Sequence, residues 1–176
     1  APRAAPHAAA HFPASLAGAV ALDCEMVKVR HGRSGERLAL GRCCVVDAAT
    51  EAVLFDRYVR PDETVLDHLT RFSGLTAEAL QGPEALSLQE ARARVAALIE
   101  GRVVVGHALE NDWKVLGLRP APHLVADTRH LPWGERMSLR LRDLAAEELG
   151  AGIQEGAHCP CEDARAALRL YKHFLA

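Results

Sequence analysis

The chain has 176 residues, 49% of them apolar and 25% charged, so it is long enough for one domain with a real core and too short for two. Its formal net charge of -2 at pH 7 excludes a polycation, and any contact with nucleic acid must come from a local basic patch. Only 5% of the residues are aromatic, which argues against a broad platform for base stacking.

The start of the chain and its cysteines bear on where the protein works. Residues 1–16 are rich in Ala, Pro and His without periodicity, so we expect a disordered tail or linker before a domain at 17–176. The apolar run at 16–22 is too short to span a bilayer, and no signal peptide is evident. The first residue is alanine, so we expect a piece of a longer protein. An odd number of cysteines without framework spacing favours a reduced intracellular compartment: Cys24, Cys43, Cys44, Cys159 and Cys161.

Apolar patterning predicts a sheet followed by alternating helices and strands. Three β-like runs separated by turn residues, at 19–29, 38–47 and 52–59, predict an antiparallel meander. Helical periodicity then marks residues 87–100, 108–116, 138–149 and 160–174, with Ser138 as a cap candidate and Pro160 in the first turn of the last helix. Short apolar runs at 102–106 and 124–127 predict two more strands. The order βββαβαβαα predicts an α/β fold, a mixed five-stranded sheet with helices on its faces.

Two acidic residues lie within the most apolar of these strands. Asp23 and Glu25 flank Cys24, and strand periodicity places both carboxylates on one face with Cys24 on the other. Neighbouring buried carboxylates repel each other and tend to protonate unless a hard cation such as Mg²⁺ or Mn²⁺ binds them. The alternative is that this end of the strand simply emerges into water.

A third acidic residue, Asp112, follows the apolar strand at 102–106 by about one helical turn. Its carboxylate can therefore face the carboxyl end of the sheet, where open α/β sheets bind ligands. Glu110 falls on a different helical face, and we expect it to be exposed. Taken alone, Asp112 is compatible with an ordinary surface position.

The last candidates precede or open the final helix. Asp163 lies in the first turn, where an aspartate is also typical of a plain helix cap. The functional interpretation is that Asp163 binds metal, while His158, on the preceding loop, accepts a proton from water near neutral pH. Glu162 is expected to point outward. Cys159 and Cys161 beside His158 could be half of a zinc site, but no second Cys/His pair follows, and small buried side chains fit better.

Motifs spread over nearly the whole chain now match a known family in its order: Ala-Leu-Asp-Cys-Glu-Met-Val at 21–27, Val-Gly-His at 105–107 with Asn111-Asp112, Asp127-Thr128, and residues 158–166 with Glu162-Asp163-Ala164-Arg165-Ala166. By these motifs the chain resembles the DEDDh exonuclease superfamily. Within it, the chain is similar to the eukaryotic RNA exonucleases that include the interferon-stimulated 20-kilodalton exonuclease and the ribosomal-RNA-processing enzymes.

The resemblance implies an RNase H-like fold and a 3′–5′ exonuclease releasing nucleoside 5′-monophosphates from single-stranded RNA. It assigns Asp23, Glu25, Asp112 and Asp163 as metal ligands and His158 as general base. Two ions, Mg²⁺ or Mn²⁺, about 3.5–4 Å apart activate water and stabilise the leaving oxygen in such sites. The resemblance further implies that the terminal nucleotide contacts three residues: Met26, Arg71 and His107.

Some features depart from the family or leave alternatives open. Lys28 replaces an expected glycine, and Cys159-Pro160-Cys161 replaces a run that is usually serine-rich, so loop shape and substrate preference can differ. A basic cluster on the first hairpin either guides a strand or is simply solvated: Lys28, Arg30, Arg33 and Arg37. DNA instead of RNA, or an inactive RNA-binding domain, are the alternative functions. We expect no membrane contact, no small-molecule cofactor, and a nuclear or nucleolar rather than cytoplasmic location; protein partners remain open.

Overall fold

A mixed sheet of seven strands lies at the centre of the protein. The computed structural model describes residues 13–134 and 139–176. In chain order the strands are β1 (Val20–His31), β2 (Gly35–Asp47), β3 (Val53–Arg60), β4 (Val65–Asp67), β5 (Leu86–Ser87), β6 (Val104–Gly106) and β7 (Val125–Asp127). The helices are α1 (Thr70–Ser73), α2 (Ala77–Gln81), α3 (Leu88–Ile99), α4 (Glu110–Leu116), α5 (Leu141–Leu149) and α6 (Pro160–Leu175), with short 3₁₀ helices at Pro122–Leu124 and Thr128–His130.

The sheet order is β5-β3-β2-β1-β6-β7, with β4 paired to the far half of β1. The predicted antiparallel meander is confirmed, because β2 pairs antiparallel with both β1 and β3. On the other side, β6 lies parallel to β1 and β7 lies parallel to β6. The carboxyl ends of β6 and β7 therefore open at one edge of the sheet, beside the middle of β1.

All five strands expected from the sequence are present, but the predicted strand count is too low. The two additional strands, β4 and β5, have three and two residues. Segments of that length are too short to produce the alternation from which a strand is predicted.

Two hydrophobic layers hold the helices against the sheet. On one face, α3 and α4 pack on alternate residues of the strands, among them Leu22, Cys24 and Val45. On the other face α6 packs through Ala164, Leu168 and Tyr171. Cys24 belongs to the first layer, which confirms that it faces away from the side of β1 that carries Asp23. The second layer also reaches the start of the described chain, since the Tyr171 hydroxyl donates to the Pro13 carbonyl oxygen (2.9 Å).

A β-bulge interrupts the pairing of β1 with β2 just after Glu25. Glu25 pairs with Arg42 and Met26 with Leu40, so Gly41 is the extra residue on β2. A Cβ on Gly41 would lie 2.4 Å from the end of the Leu75 side chain, so the close approach of the segment before α2 favours glycine here.

Helix boundaries follow local signals where the chain provides them. Ser87 caps α3 in a capping box, with its side chain accepting from Glu90 N (3.2 Å) and the Glu90 carboxylate accepting from Ser87 N (2.9 Å). Pro160 opens α6 as predicted. The helix expected from residue 138 begins at Leu141, and the cap candidate Ser138 lies outside the described residues.

Candidate active site

The middle of β1 carries the first two candidate ligands. Pairing along the sheet places Glu25 opposite Arg42 and Asp23 opposite Cys44, on the face covered by α6. Glu25 is only 8% exposed and Asp23 is half-buried. The alternative in which this part of the strand emerges into water is therefore wrong for Glu25.

Asp112 lies in the first turn of α4 and is 4% exposed, so the surface position considered from the sequence is wrong. Its neighbour Glu110 is exposed, as expected. The Oδ1 atom of Asp112 is buried and has no hydrogen-bond partner in the described part of the chain. Buried carboxylate oxygens are costly without a donor or a cation, so this atom is suited to a metal ion.

His158 and Asp163 meet at the start of α6. The Asp163 carboxylate is buried, and its Oδ2 atom lies 3.8 Å from His158 Nδ1. The plain capping interpretation of Asp163 is wrong, because Cys159 occupies the N-cap and the hydrogen bond to the Asp163 carboxylate comes from the Gln154 side chain. The adjacent Glu162 is exposed, as predicted.

The fold brings these side chains from three separate elements to one place. Glu25, His158 and Asp163 each offer a ligand atom within 4.8 Å of the others. Asp23 and Asp112 are not part of this group of three. Among the neighbouring charges, those of Asp112 and Asp163 raise the pKa of Asp23 the most. The Asp163 Oδ1 atom, like its counterpart on Asp112, is buried without a hydrogen-bond partner among residues 13–134 and 139–176.

Electrostatics show the cost of this arrangement without a cation. Burial raises the pKa of Asp23 well above its ordinary value, and the charges of Asp112 and Asp163 raise it further. Burial, followed by the charge of Asp163, raises the pKa of Glu25 to about 8. Burial also raises the pKa of Asp112 to about 7 and raises that of Asp163. The four candidate ligands are all carboxylates, and oxygen donors fit Mg²⁺ or Mn²⁺.

One cation of the protein already moderates this charge, and sequence reasoning missed it. Arg42, opposite Glu25 on β2, lowers the pKa of Glu25 against the effect of burial. Its guanidinium is held by two 2.8 Å hydrogen bonds to the Asp56 carboxylate on β3 and stacks over the Tyr58 ring. The register between β1 and β2 brings Arg42 beside the site, and this register cannot be predicted from the sequence.

Asp127, at the end of β7, organises the connection from β6 into α4. Its buried carboxylate accepts hydrogen bonds from Ala108 N (2.9 Å), Leu109 N (2.8 Å) and Arg129 N (2.9 Å). Ala108 has a φ of 56°, a left-handed conformation that a residue with a Cβ rarely adopts. Asp127 thus holds in place the strained turn from which α4 and Asp112 begin, a role that its place in the sequence motif does not reveal.

The RNase T exonuclease family model matches residues 20–171, which include every one of these carboxylates. The chain belongs to the RNase T exonuclease family. Its RNase T domain is 42% identical to human RNA exonuclease 4 over 163 residues, 89% of this chain and 37% of that protein. It is 39% identical to the Saccharomyces cerevisiae RNA exonuclease 4 over 158 residues, 87% of this chain and 53% of that protein. The chain thus spans about half or less of the length of these curated relatives.

Solved structures agree with the fold of the RNase T domain. The Saccharomyces cerevisiae Pan2 pseudoubiquitin hydrolase–RNA exonuclease module in complex with A7 RNA superposes with a TM-score of 0.76 at 32% identity, covering 89% of this chain and 28% of that one. The match supports the RNase H-like architecture expected from the motifs.

Residues expected to contact the terminal nucleotide lie around the site of the RNase T domain. Met26 follows Glu25 across the bulge and is half-buried. His107 Nδ1 lies 3.0 Å from Thr128 Oγ1, and His107 and His158 both line one cleft of about 730 Å³. Arg71 is exposed on α1, which is tied to the site because His158 N donates to the Phe72 carbonyl oxygen (2.6 Å). The structure thus places Met26 directly after the candidate ligand Glu25, His107 in the same cleft as His158, and Arg71 beside the residue whose carbonyl oxygen binds His158 N.

The basic hairpin of the RNase T domain is partly neutralised. Lys28 pairs with Glu36 at 3.4 Å, and Arg37 pairs with Glu63. Both pairs are solvent-exposed, so this part of the cluster matches the solvated-hairpin alternative. A role for the remaining arginines in guiding a strand stays a prediction.

The expectation of reduced, unpaired cysteines is wrong for two of them. Cys44 and Cys161 form a disulfide bond between β2 and α6, with their Cα atoms 5.3 Å apart. The two are separated by 117 positions in the sequence, so spacing could not indicate the pair. Cys24 and Cys43 are free and buried, while Cys159 is free and half-buried. With Cys161 in the disulfide, the zinc half-site beside His158 loses a ligand.

Asp127→Asn is expected to destabilise the protein and reduce its activity. An amide can keep one acceptor oxygen, but its NH₂ group cannot accept from Leu109 N, and an unsatisfied buried donor costs about 1–3 kcal/mol. Differential scanning fluorimetry and nuclease assays measure both effects, with the exposed Glu110→Gln as matched control. A variant with unchanged melting temperature and unchanged turnover would show that this carboxylate does not hold the turn.

Proposed function

We propose that this domain is a metal-dependent 3′–5′ exoribonuclease that degrades single-stranded RNA to nucleoside 5′-monophosphates. The observation that carries the proposal is the pair of buried, unpartnered carboxylate oxygens on Asp112 and Asp163, beside the cluster of Glu25, His158 and Asp163. A binding scaffold has no use for such a set, because uncompensated buried charge costs stability. Membership in an exonuclease family supplies the reaction class.

In this proposal Asp23, Glu25, Asp112 and Asp163 hold two Mg²⁺ or Mn²⁺ ions. When bound, the ions supply neutralisation of the phosphate charge, activation of water and stabilisation of the leaving oxygen. The four carboxylates come from β1, α4 and α6, so three elements fix their positions.

His158 takes the proton from the attacking water in this scheme. Its side chain is 32% exposed, so it can exchange that proton with solvent, and its Nδ1 atom lies 3.8 Å from Asp163 Oδ2. The backbone bond from His158 N to the Phe72 carbonyl oxygen holds the loop in place without involving the imidazole. Transfer of the proton from water to the imidazole leaves hydroxide to form the new P–O bond, while the bond between phosphorus and the 3′ oxygen of the preceding nucleotide breaks. That oxygen leaves as a hydroxyl by taking a proton from solvent water.

RNA as substrate is supported by relatives named RNA exonuclease 4 and by a Pan2 module whose structure contains A7 RNA. The cleft lined by His107 and His158, at about 730 Å³, is large enough for a nucleotide. Choosing RNA over DNA requires a contact to the 2′-hydroxyl, which we assign to the main chain around Met26.

A nuclear or nucleolar location belongs to the same proposal, and imaging of the tagged protein tests it. Among the described helices, none has the length and apolar character to cross a bilayer.

The test compares matched RNA and DNA oligonucleotides labelled at either end, in Mg²⁺, Mn²⁺, Ca²⁺ or chelator. We expect 3′-labelled RNA to release mononucleotide first and 5′-labelled RNA to shorten stepwise, in Mg²⁺ or Mn²⁺ but not in Ca²⁺ or chelator. Asp112→Asn is the inactive control. Full activity in chelator would exclude the mechanism, equal rates on RNA and DNA would favour the DNA exonuclease, and RNA binding without cleavage would favour the inactive domain.

A further inference from the structure

Gln154 lies in the connection between α5 and α6 and has a φ of 57°, in the left-handed region. Residues with a Cβ rarely adopt this conformation, and they keep it where surrounding contacts determine the backbone, often near functional sites. The preceding residue, Ile153, is buried in the cluster between α5 and α6 and anchors the segment. Glycine would adopt this conformation without strain, so the presence of a glutamine here points to a role for its side chain.

That side chain reaches the candidate site. Gln154 Nε2 donates a hydrogen bond of 2.7 Å to Asp163 Oδ2. Asp163 Oδ1 is buried without a hydrogen-bond partner in the described residues, so the two oxygens of one carboxylate have different surroundings. An amide donor is neutral, so it can orient the carboxylate without cancelling the negative charge that a cation needs.

Building on the proposed function, we infer that Gln154 is a positioning residue: its amide fixes the Asp163 carboxylate so that Oδ1 remains open to a divalent cation. Gln154 also lines the cleft that contains His158, whose imidazole faces the same Oδ2 atom. The bond therefore keeps one oxygen of Asp163 for the imidazole and the amide, and the other for the metal. Hydrogen-bond partners of metal ligands act in this way when they hold a ligand's orientation.

Gln154→Met tests the inference, because it keeps the length of the side chain and removes the donor. Calorimetric titration of the protein with Mn²⁺, without RNA, should show an affinity roughly 10–100-fold weaker than that of the unchanged protein. At limiting Mn²⁺ the kcat for RNA should fall by a similar factor while KM changes little, and high Mn²⁺ should restore most of the activity.

Gln154→Gly separates positioning from folding. Glycine adopts a φ of 57° without strain, so this variant should melt at or above the temperature of the unchanged protein while losing Mn²⁺ affinity as Gln154→Met does. Gln89→Met, at an exposed glutamine of α3, is the matched control and should change neither quantity.

The outcomes distinguish the inference from the function on which it rests. If the unchanged protein binds Mn²⁺ and degrades RNA, while Gln154→Met and Gln154→Gly bind Mn²⁺ within threefold of it, the positioning role is overturned. A lower melting temperature in Gln154→Met with unchanged Mn²⁺ affinity would equally overturn it, since the role would then be structural alone. If the unchanged protein neither binds Mn²⁺ nor degrades RNA, the proposed function fails and the inference fails with it.

Discussion

Replacement of His158 by alanine is expected to lower the single-turnover rate of RNA cleavage by roughly 10²–10⁴-fold, while the melting temperature and Mn²⁺ affinity stay near those of the unchanged protein. The side chain is 32% exposed, and the bond that holds the loop, to the Phe72 carbonyl oxygen, is made by the backbone and survives the change. Rapid-quench kinetics and calorimetry measure the two properties on one preparation.

Asp163→Ala should give the opposite pattern. Removing this buried carboxylate takes away a proposed ligand, so Mn²⁺ affinity should fall together with turnover, and high Mn²⁺ should restore part of the activity. A simple helix cap would instead cost roughly 0.5–2 kcal/mol of stability at nearly normal turnover. The exposed neighbour Glu162→Ala is the control. A stable, fully active His158→Ala protein would contradict the assignment of the base.

Metal-free protein is expected to lose stability as the pH rises from about 4.5 to about 8. In the folded state the pKa of Glu25 is about 8, against 4.5 ordinarily, and that of Asp112 is about 7, against 3.8. Both pKa values are raised, so in this window the folded protein keeps protons that the unfolded chain has released, and the free energy of unfolding falls with rising pH. These groups contribute fully to the free energy of unfolding below their ordinary pKa values. The contribution is lost as the pH rises through their pKa values in the folded state.

Mn²⁺ should reverse that loss. The ion binds deprotonated carboxylates, so the gain in melting temperature should grow with pH, to roughly 5–10 °C at a hundredfold excess over the dissociation constant. Glu25→Gln should flatten the pH dependence and reduce the gain, whereas Glu110→Gln should change neither. His107 has a lowered pKa in the folded state, so its own contribution to the free energy of unfolding rises with pH. This contribution is the same in every variant and cancels when the variants are compared. Equal pH slopes in the unchanged protein and Glu25→Gln would contradict the role of Glu25.

Periodicity predicted the long elements because they are long enough to display it. β1, β2, α3 and α6 each run for twelve residues or more and repeat their burial pattern several times. The four- and five-residue helices α1 and α2 were not predicted, since neither completes two turns. Their positions depend on packing, as when Leu75 and Leu80 cover the far half of β1.

Within the site, the resemblance to a known family identifies the residues that lie in its motifs. Residues that reach the site only through contacts in the folded protein cannot be found in this way. Asp23, Glu25, Asp112, His158 and Asp163 come from recognisable motifs. Arg42 and Gln154 do not, because the first depends on the register between β1 and β2 and the second on a loop folding back across nine positions to a helix. Asp127 was visible within a motif, but its three backbone partners were not.

The order of the site residues along the chain has a consequence for synthesis. Asp23 and Glu25 are made early, whereas His158 lies just before the helix α6 and Asp163 lies in its first turn, after the seven described strands. A ribosome that has produced the entire sheet has therefore still produced only part of the candidate site. α6 must leave the exit tunnel and dock on β1 and β2 before the site is complete. The position of this helix thus delays completion of the candidate site until the domain has finished folding.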